Sequence, residues 1–213
     1  MFGRDDGDPE EKRVRLVERL RSRVDDEAVL DAMATVPRHE FVPDGKRTHA
    51  YADRPMPIGQ GQTISAPHMV AIMAELLDLS PGTDVLEIGT GCGYHAAVTA
   101  ELVGAEHVYS VEFHDSLARE ARKRLAELGY GDVSIRVGDG HDGWPEHAPY
   151  DRAYLTCAPP DFPDAVVEQV RPGGILLGPL GRGMQTLVKA TTREDGSLDR
   201  ESHGGVRFVE MQG

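Results

Sequence analysis

Along the first thirty-odd residues, apolar side chains recur at helical spacing among charged ones: Val14, Val17, Leu20, Val24, Val29, Leu30 and Met33 within residues 9–34. That period marks an amphipathic face and predicts one or two helices. They should stop before Pro37, because proline pushes its predecessor out of the helical region. VPRHEFVPDG then reads as a turn segment. Residues 50–63, AYADRPMPIGQGQT, are too rich in proline and glycine for a periodic element and read as a loop with a fixed path. Helical spacing returns in SAPHMVAIMAELLDL through Val70, Met73, Ala74, Leu76 and Leu77. Ser65 or Ala66 suits the cap there, and Pro67 the first turn.

Beyond Pro81-Gly82 the pattern alternates. Short apolar runs at 84–89, 107–112, 133–137, 151–156, 174–180, 185–192 and 203–210 read as strands, and 92–103, 115–128 and 162–171 as helices. Strands alternating with helices imply an α/β fold with a mostly parallel, seven-stranded sheet and right-handed crossovers. Only TREDGSLD separates the last two strands, so an antiparallel hairpin should end the sheet. Residues 1–82 would form an N-terminal helical extension with a loop, packed on a core of 83–213 as one unit. A chain of 213 residues suits such a domain. The charged stretch to about residue 8 is expected to be disordered.

One stretch carries candidate chemistry. DVLEIGTGCGY (84–94) is an apolar strand running into a glycine loop that opens a helix, and YSVE closes a second strand at Glu112. Gly89, Gly91 and Gly93 permit sharp turns and a close backbone approach to a ligand. A carboxylate at the end of the second strand can accept both hydroxyls of a ribose. G-x-G-x-G differs from the dinucleotide pattern G-x-G-x-x-G, and no phosphate-binding G-x-x-x-x-G-K-[ST] is present. The loop therefore suits a nucleoside without phosphate, with S-adenosylmethionine the leading candidate. Glu87, Gly89, Thr90, Gly91, Glu112, Asp139 and Gly140 fall at or near strand ends, where open α/β sheets bind ligands. Asp139 could accept from an adenine amino group.

Composition narrows the partners. A net charge of −13 argues against nucleic-acid binding through phosphates. Of 23 basic residues four are lysine, Lys12, Lys46, Lys123 and Lys189. Acid excess with scarce lysine points to a very salty cytosol, where a Debye length of about 3 Å at ~1 M lets crowded carboxylates coexist. No apolar run suits a membrane span, and the charged N-terminus does not read as a secretion signal, so a cytoplasmic, monomeric protein is expected. Cys92 and Cys157 make no disulfide framework. HDGWPEH (141–147) has no zinc-like spacing, and no metal is expected.

PMPIGQGQTISAPH (55–68) sets polar groups and glycines before a helix start. Free N–H groups there would favour an anion, with Thr63 and Ser65 adding hydroxyls and His68 a titratable ring. This segment, with VPRHEFVP (36–43), AYADRPMPIGQGQTISAPHMVAIM (50–73), VLEIGTGCGYHAAVTA (85–100), VYSVE, VGDG, APYDRAYLT (148–156) and LGRGMQTLV, resembles the protein-L-isoaspartate (D-aspartate) O-methyltransferases from about residue 12 onward. The glycine loop is shared by many methyltransferases, whereas I-G-x-G-Q-T-I-S-x-P-x-M is selective.

The resemblance implies a Rossmann-like methyltransferase that moves a methyl group from S-adenosyl-L-methionine to the free carboxylate of L-isoaspartyl residues in damaged proteins and peptides. The ester then collapses to a succinimide that reopens partly as normal aspartate. By matching position Ser65 is the active-site serine, Glu112 serves the ribose, and Asp139 with Gly140 the adenine. Thr63, Ile64 and His68 would touch cofactor or substrate. Two departures bear on substrate choice: TCAPPDFP (156–163) replaces an alanine-rich segment, and FVEM (208–211) puts Glu210 where the family carries proline. Two other readings stay open, a methyltransferase acting on a small acid and a non-catalytic sensor of S-adenosylmethionine.

Overall fold

The computed structural model describes residues 7–213, so most of the stretch expected to be disordered lies outside the described residues. Asp8 within that stretch is ordered as a cap, accepting from the Glu10 amide at 3.1 Å. It starts α1 (Pro9–Leu20), and a second capped helix, α2 (Glu27–Thr35), follows. Asp26 caps α2, and Glu75 Oε1 takes the Asp25 and Asp26 amides at 2.7 and 2.9 Å. The amphipathic run is therefore two helices, parted where a carboxylate from α3 (Pro67–Leu76) holds the chain.

Residues 56–64, expected as irregular loop, form a hairpin of β1 (Met56–Gly59) and β2 (Gln62–Ile64). Gly59, Gln60 and Gly61 all take positive φ, the turn geometry that matches strand twist. The main sheet has the order β5-β4-β3-β6-β7-β8-β9. Its strands are β3 (Val85–Ile88), β4 (Val108–Glu112), β5 (Ser134–Val137), β6 (Tyr150–Leu155), β7 (Val170–Leu180), β8 (Gln185–Thr192) and β9 (Leu198–Val206). The first five are parallel neighbours, and β8 and β9 run antiparallel, as expected.

Three boundaries differ from the sequence reading, one of them β7, which opens at Val170 and not at 174. The helix expected over 162–171 shrinks to α6 (Asp164–Glu168). Gln169 leaves it to bind the Trp144 amide and the Asp142 carbonyl, and its own carbonyl takes the Tyr150 amide. The last strand, expected at 203–210, lies at Leu198–Val206 because the turn closes from the Arg193 amide to the Ser197 carbonyl at 2.8 Å. Pairing then begins with Leu198 opposite Thr192.

α4 (Tyr94–Val103) is buried almost all round, which requires cover on both sides. The sheet lies on one side, and α2 and α3 pack on the other. α5 (Asp115–Glu127) shares that face of the sheet through Ala118, Ala121 and Leu125. One apolar cluster runs from Leu16 and Leu30 through Met73 and Val98 to Tyr154, so the N-terminal helices and the sheet share a core. The opposite face packs Leu86, Ile88, Leu155 and Leu176 against Phe162 and Val166. Because β3 neighbours both β4 and β6, the chain reverses direction in the sheet at β3, where ligand crevices form.

Candidate active site

Beyond the carboxyl ends of β3 and β4 lies an open cleft, at the place where open α/β sheets bind ligands. Its floor is the glycine loop. Gly89 has φ 100°, and a Cβ there would stand 2.3 Å from Thr156 Oγ1. Only glycine therefore lets the end of β3 close against that of β6. Thr156 secures the approach by donating to the Gly89 carbonyl at 2.6 Å. Gly93, at φ 88°, precedes the first turn of α4.

Glu112 ties this floor to β4. Its Oε2 accepts the Gly91 amide at 2.7 Å and its Oε1 the His114 amide at 2.9 Å. A carboxylate has about four acceptor positions, so lone pairs remain for a ligand. Glu112 lines the cleft beside Phe113, and Gly140 lines it at the end of β5. Thr63 and Ile64 from the hairpin and Ser65 from the link to α3 also line it. Ser65 is half-buried, and among the described residues its hydroxyl makes no hydrogen bond. The fold thus brings together Thr63, Ile64, Ser65, Gly89, Thr90, Gly91, Glu112 and Gly140, gathered from segments far apart in the chain.

Three expected residues sit elsewhere. Glu87 is wholly buried one layer beneath the loop. It accepts from Ser110 Oγ at Oε2 and from the Tyr154 hydroxyl at Oε1, the latter at 2.8 Å. Ser110 is bonded in turn to Thr90 Oγ1, which does line the cleft. Glu87 therefore reaches the cleft through hydroxyls, not by direct contact. Burial pushes its pKa up to about 7, against the pull of Ser110 and Tyr154.

His68 also stands apart from the lining. Its ring Nδ1 and its amide both engage Asp53 Oδ1, at 2.8 and 2.9 Å. Pro67 lacks an N–H and the Met69 amide donates to the Ala66 carbonyl, so the first turn of α3 is already satisfied and is not the open anion site its sequence suggested. Asp139 is turned toward His141, accepting from that residue's amide and ring at 2.9 and 2.7 Å. The His141 amide is the largest cause holding the Asp139 carboxyl below its ordinary range. Gly213 packs on this carboxylate so closely that a Cβ would lie 2.3 Å from Oδ1.

The sequence reading missed the tail as a wall. After β9, Gln185 brackets Phe208, accepting its amide at 2.6 Å and donating to its carbonyl at 3.1 Å. Val209 and Met211 then pair with Ala158, placing Val209, Glu210, Met211 and Gln212 on the cleft. Cys157 also lines it, next to the tail. Burial raises its thiol to about 12, so at neutral pH it is an uncharged wall and not a nucleophile. The family-type departures at Cys157 and Glu210 foreshadowed this region, though no periodicity in residues 207–213 marks it.

A glycine-loop floor at the switch point of a parallel sheet, with a strand-end carboxylate and an antiparallel sheet terminus, defines an S-adenosylmethionine-dependent methyltransferase of the Rossmann-like class. Residues 11–213 match the protein-L-isoaspartate(D-aspartate) O-methyltransferase family, and the chain belongs to that family. It is 51% identical over 208 residues to protein-L-isoaspartate O-methyltransferase 2 of Archaeoglobus fulgidus, covering 97% of this chain and 95% of that one. To the Methanopyrus kandleri protein-L-isoaspartate O-methyltransferase it is 52% identical over 206 residues, covering 94% and 91%. A solved protein-L-isoaspartate O-methyltransferase superposes with a TM-score of 0.86 at 28% identity, over 94% of this chain and 66% of that one. A β-aspartate methyltransferase from Plasmodium falciparum, solved with S-adenosyl-L-homocysteine, gives 0.81 at 23% identity, over 94% and 98%, and supports the fold.

Proposed function

We propose that this protein repairs damaged chains by methylating the free carboxylate of L-isoaspartyl residues with S-adenosyl-L-methionine. The observation that carries the reading is the pairing of walls: Ser65, whose hydroxyl makes no hydrogen bond among the described residues, lines the same cleft as the Gly89–Gly91 loop and Glu112. The residues fit the cofactor, because positive-φ glycines admit a nucleoside against backbone and Glu112 keeps free lone pairs. When bound, the cofactor supplies an electrophilic sulfonium methyl group.

The protein's own task is placement. Glu112 would hold the ribose hydroxyls, and Gly140 would admit the adenine beside the end of β5. A carboxylate acceptor, with an ordinary pKa of about 3.9, is ionised at neutral pH and needs no general base. Ser65 would donate to one carboxylate oxygen and leave the other aligned for attack. Such approximation can supply roughly 7–11 kcal/mol of a barrier. Thr63 and the tail at Glu210 would border the acceptor peptide. Glu87 and Asp139 would act indirectly, through Thr90 and the loop at His141, and His68 by fixing Asp53. With an acidic surface and no described helix long and apolar enough to cross a membrane, we read the protein as a cytoplasmic monomer that binds no nucleic acid.

The test is methyl incorporation into one peptide made with isoaspartate and with normal aspartate. Transfer to the first alone is expected; transfer to neither, with a small carboxylic acid methylated instead, would replace this reading. Running the pair in dilute buffer and at molar salt also tests the acidic, lysine-poor surface. Turnover should need the salt, and full turnover without it removes the salt-adapted reading alone.

A further inference from the structure

Arg38 heads the fully buried side chains by volume, and neutral groups hold it. Nε donates to the Ala50 carbonyl at 2.9 Å and Nη2 to the Ser65 carbonyl at 2.6 Å. The guanidinium lies 4.7 Å from the Tyr94 ring centre, and Nη1 donates to nothing. Burial works against its charge, which Tyr94, Cys92 and Asp53 favour in that order, and Asp53 gives its Oδ1 to His68. An arginine stays protonated under protein conditions, so a whole positive charge is kept behind Ser65 with no ion-paired carboxylate among the described residues. Burying a cation unpaired is costly, and a staple between two carbonyls could be built from a neutral donor.

The cleft supplies the missing partner. Its lining contains no lysine or arginine but does contain Glu112 and Glu210, a poor surface for an acidic acceptor. Arg38 is the buried cation that adjoins the Ser65 wall, touching the backbone of the residue whose hydroxyl faces the cleft. We propose that Arg38 is a positioning residue for the methyl acceptor: its fork fixes the Ser65 backbone, and its uncompensated charge makes that wall selective for an ionised carboxylate over the neutral amide of the same shape. The inference rests on the isoaspartyl reading and adds the source of charge selection.

Two peptides test it, one with isoaspartate and one with isoasparagine, in which a carboxamide replaces the free carboxylate. Their affinities are measured on protein saturated with S-adenosyl-L-homocysteine, for the natural chain, Arg38→Met and Arg38→Lys. The natural chain should prefer the carboxylate by about tenfold or more. Arg38→Met should bring the ratio to within about twofold, with homocysteine-product affinity changed less than about threefold. Arg38→Lys keeps a charge but loses the fork; it should retain much of the ratio while its kcat falls, and it carries the test if Arg38→Met does not fold. A preference that survives in Arg38→Met, or one lost in Arg38→Lys in parallel with its bonds, would make Arg38 a mere staple and overturn the inference. Failure of the natural chain to bind either peptide would strike the isoaspartyl reading instead.

Discussion

Glu87 and Arg38 are both wholly buried behind the lining of one cleft, Glu87 linked to Thr90 through Ser110 and Arg38 to Ser65. Glu87, under the glycine loop, accepts a hydroxyl at each oxygen. Arg38, behind Ser65, has no carboxylate and leaves Nη1 unused. The contrast extends to the surface each supports. Glu112 is held by two amides before any ligand arrives, whereas the Ser65 hydroxyl is held by nothing. On the proposed reading, the cofactor side would be complete in itself, which suits a ligand of constant shape, and the acceptor side would be left one anion short, which suits a group presented by many different damaged chains. A fully bonded polar network is rigid, while an unpaired buried group is costly until a partner comes.

The sharpest way to break this comparison is Ser65→Ala. If the hydroxyl orients the acceptor, turnover should fall by about 10²-fold, the scale seen when one preorganised donor is removed. Affinity for S-adenosyl-L-homocysteine, measured by titration calorimetry, should hold. Equal loss of both would move Ser65 to the cofactor side. Glu112→Gln should do the reverse. It sets an amide against two N–H donors and removes ribose acceptors, at about 2–3 kcal/mol. Cofactor affinity should then weaken on the order of 30- to 150-fold.

Glu87→Gln is read in stability and not in binding or turnover, and its pH dependence is diagnostic. The folded-state pKa of about 7 lies above the ordinary 4.5, so the folded protein holds a proton that the unfolded chain releases. Stability is therefore lost as pH rises from about 4.5 through 7, reaching about 3 kcal/mol at 1.36 kcal/mol per unit. Glutamine does not titrate. Melting temperatures of variant and natural chain should diverge in the variant's favour between pH 5 and 8. A constant difference would show that this carboxyl ionises normally and that the network beneath the loop is charged.

What the sequence revealed about the site came from short-range patterns. G-T-G-C-G followed by Glu112 places loop and carboxylate because a strand, a turn and a helix have fixed rises. Thr63–Ser65 was found through a selective motif, but its hairpin was passed over although Gly59-Gln60-Gly61 is a turn signal between alternating residues. Glu87 was placed in the cleft because it neighbours the loop. Strand alternation puts it on the side of Val85, facing α4, and a strand buried on both faces hides this from the eye.

His68 was misplaced for another reason. Its partner Asp53 lies fifteen residues back, and nothing local announces the bond. The same limit applies to Arg38 and Ser65, 27 residues apart, and to the tail at 209–212, whose place depends on Gln185 and Ala158.

The alternation of strands and helices beyond residue 82, the parallel sheet with its antiparallel end, the glycine loop and the carboxylate at the end of β4 follow from the chain alone, because periodicity and turn chemistry act over a few residues. Which polar groups are spent on the protein and which are left for a ligand was decided only in three dimensions. That division depends on bonds between distant segments, and a hydroxyl, an imidazole or a guanidinium carries no mark in sequence of whether another residue has already claimed it.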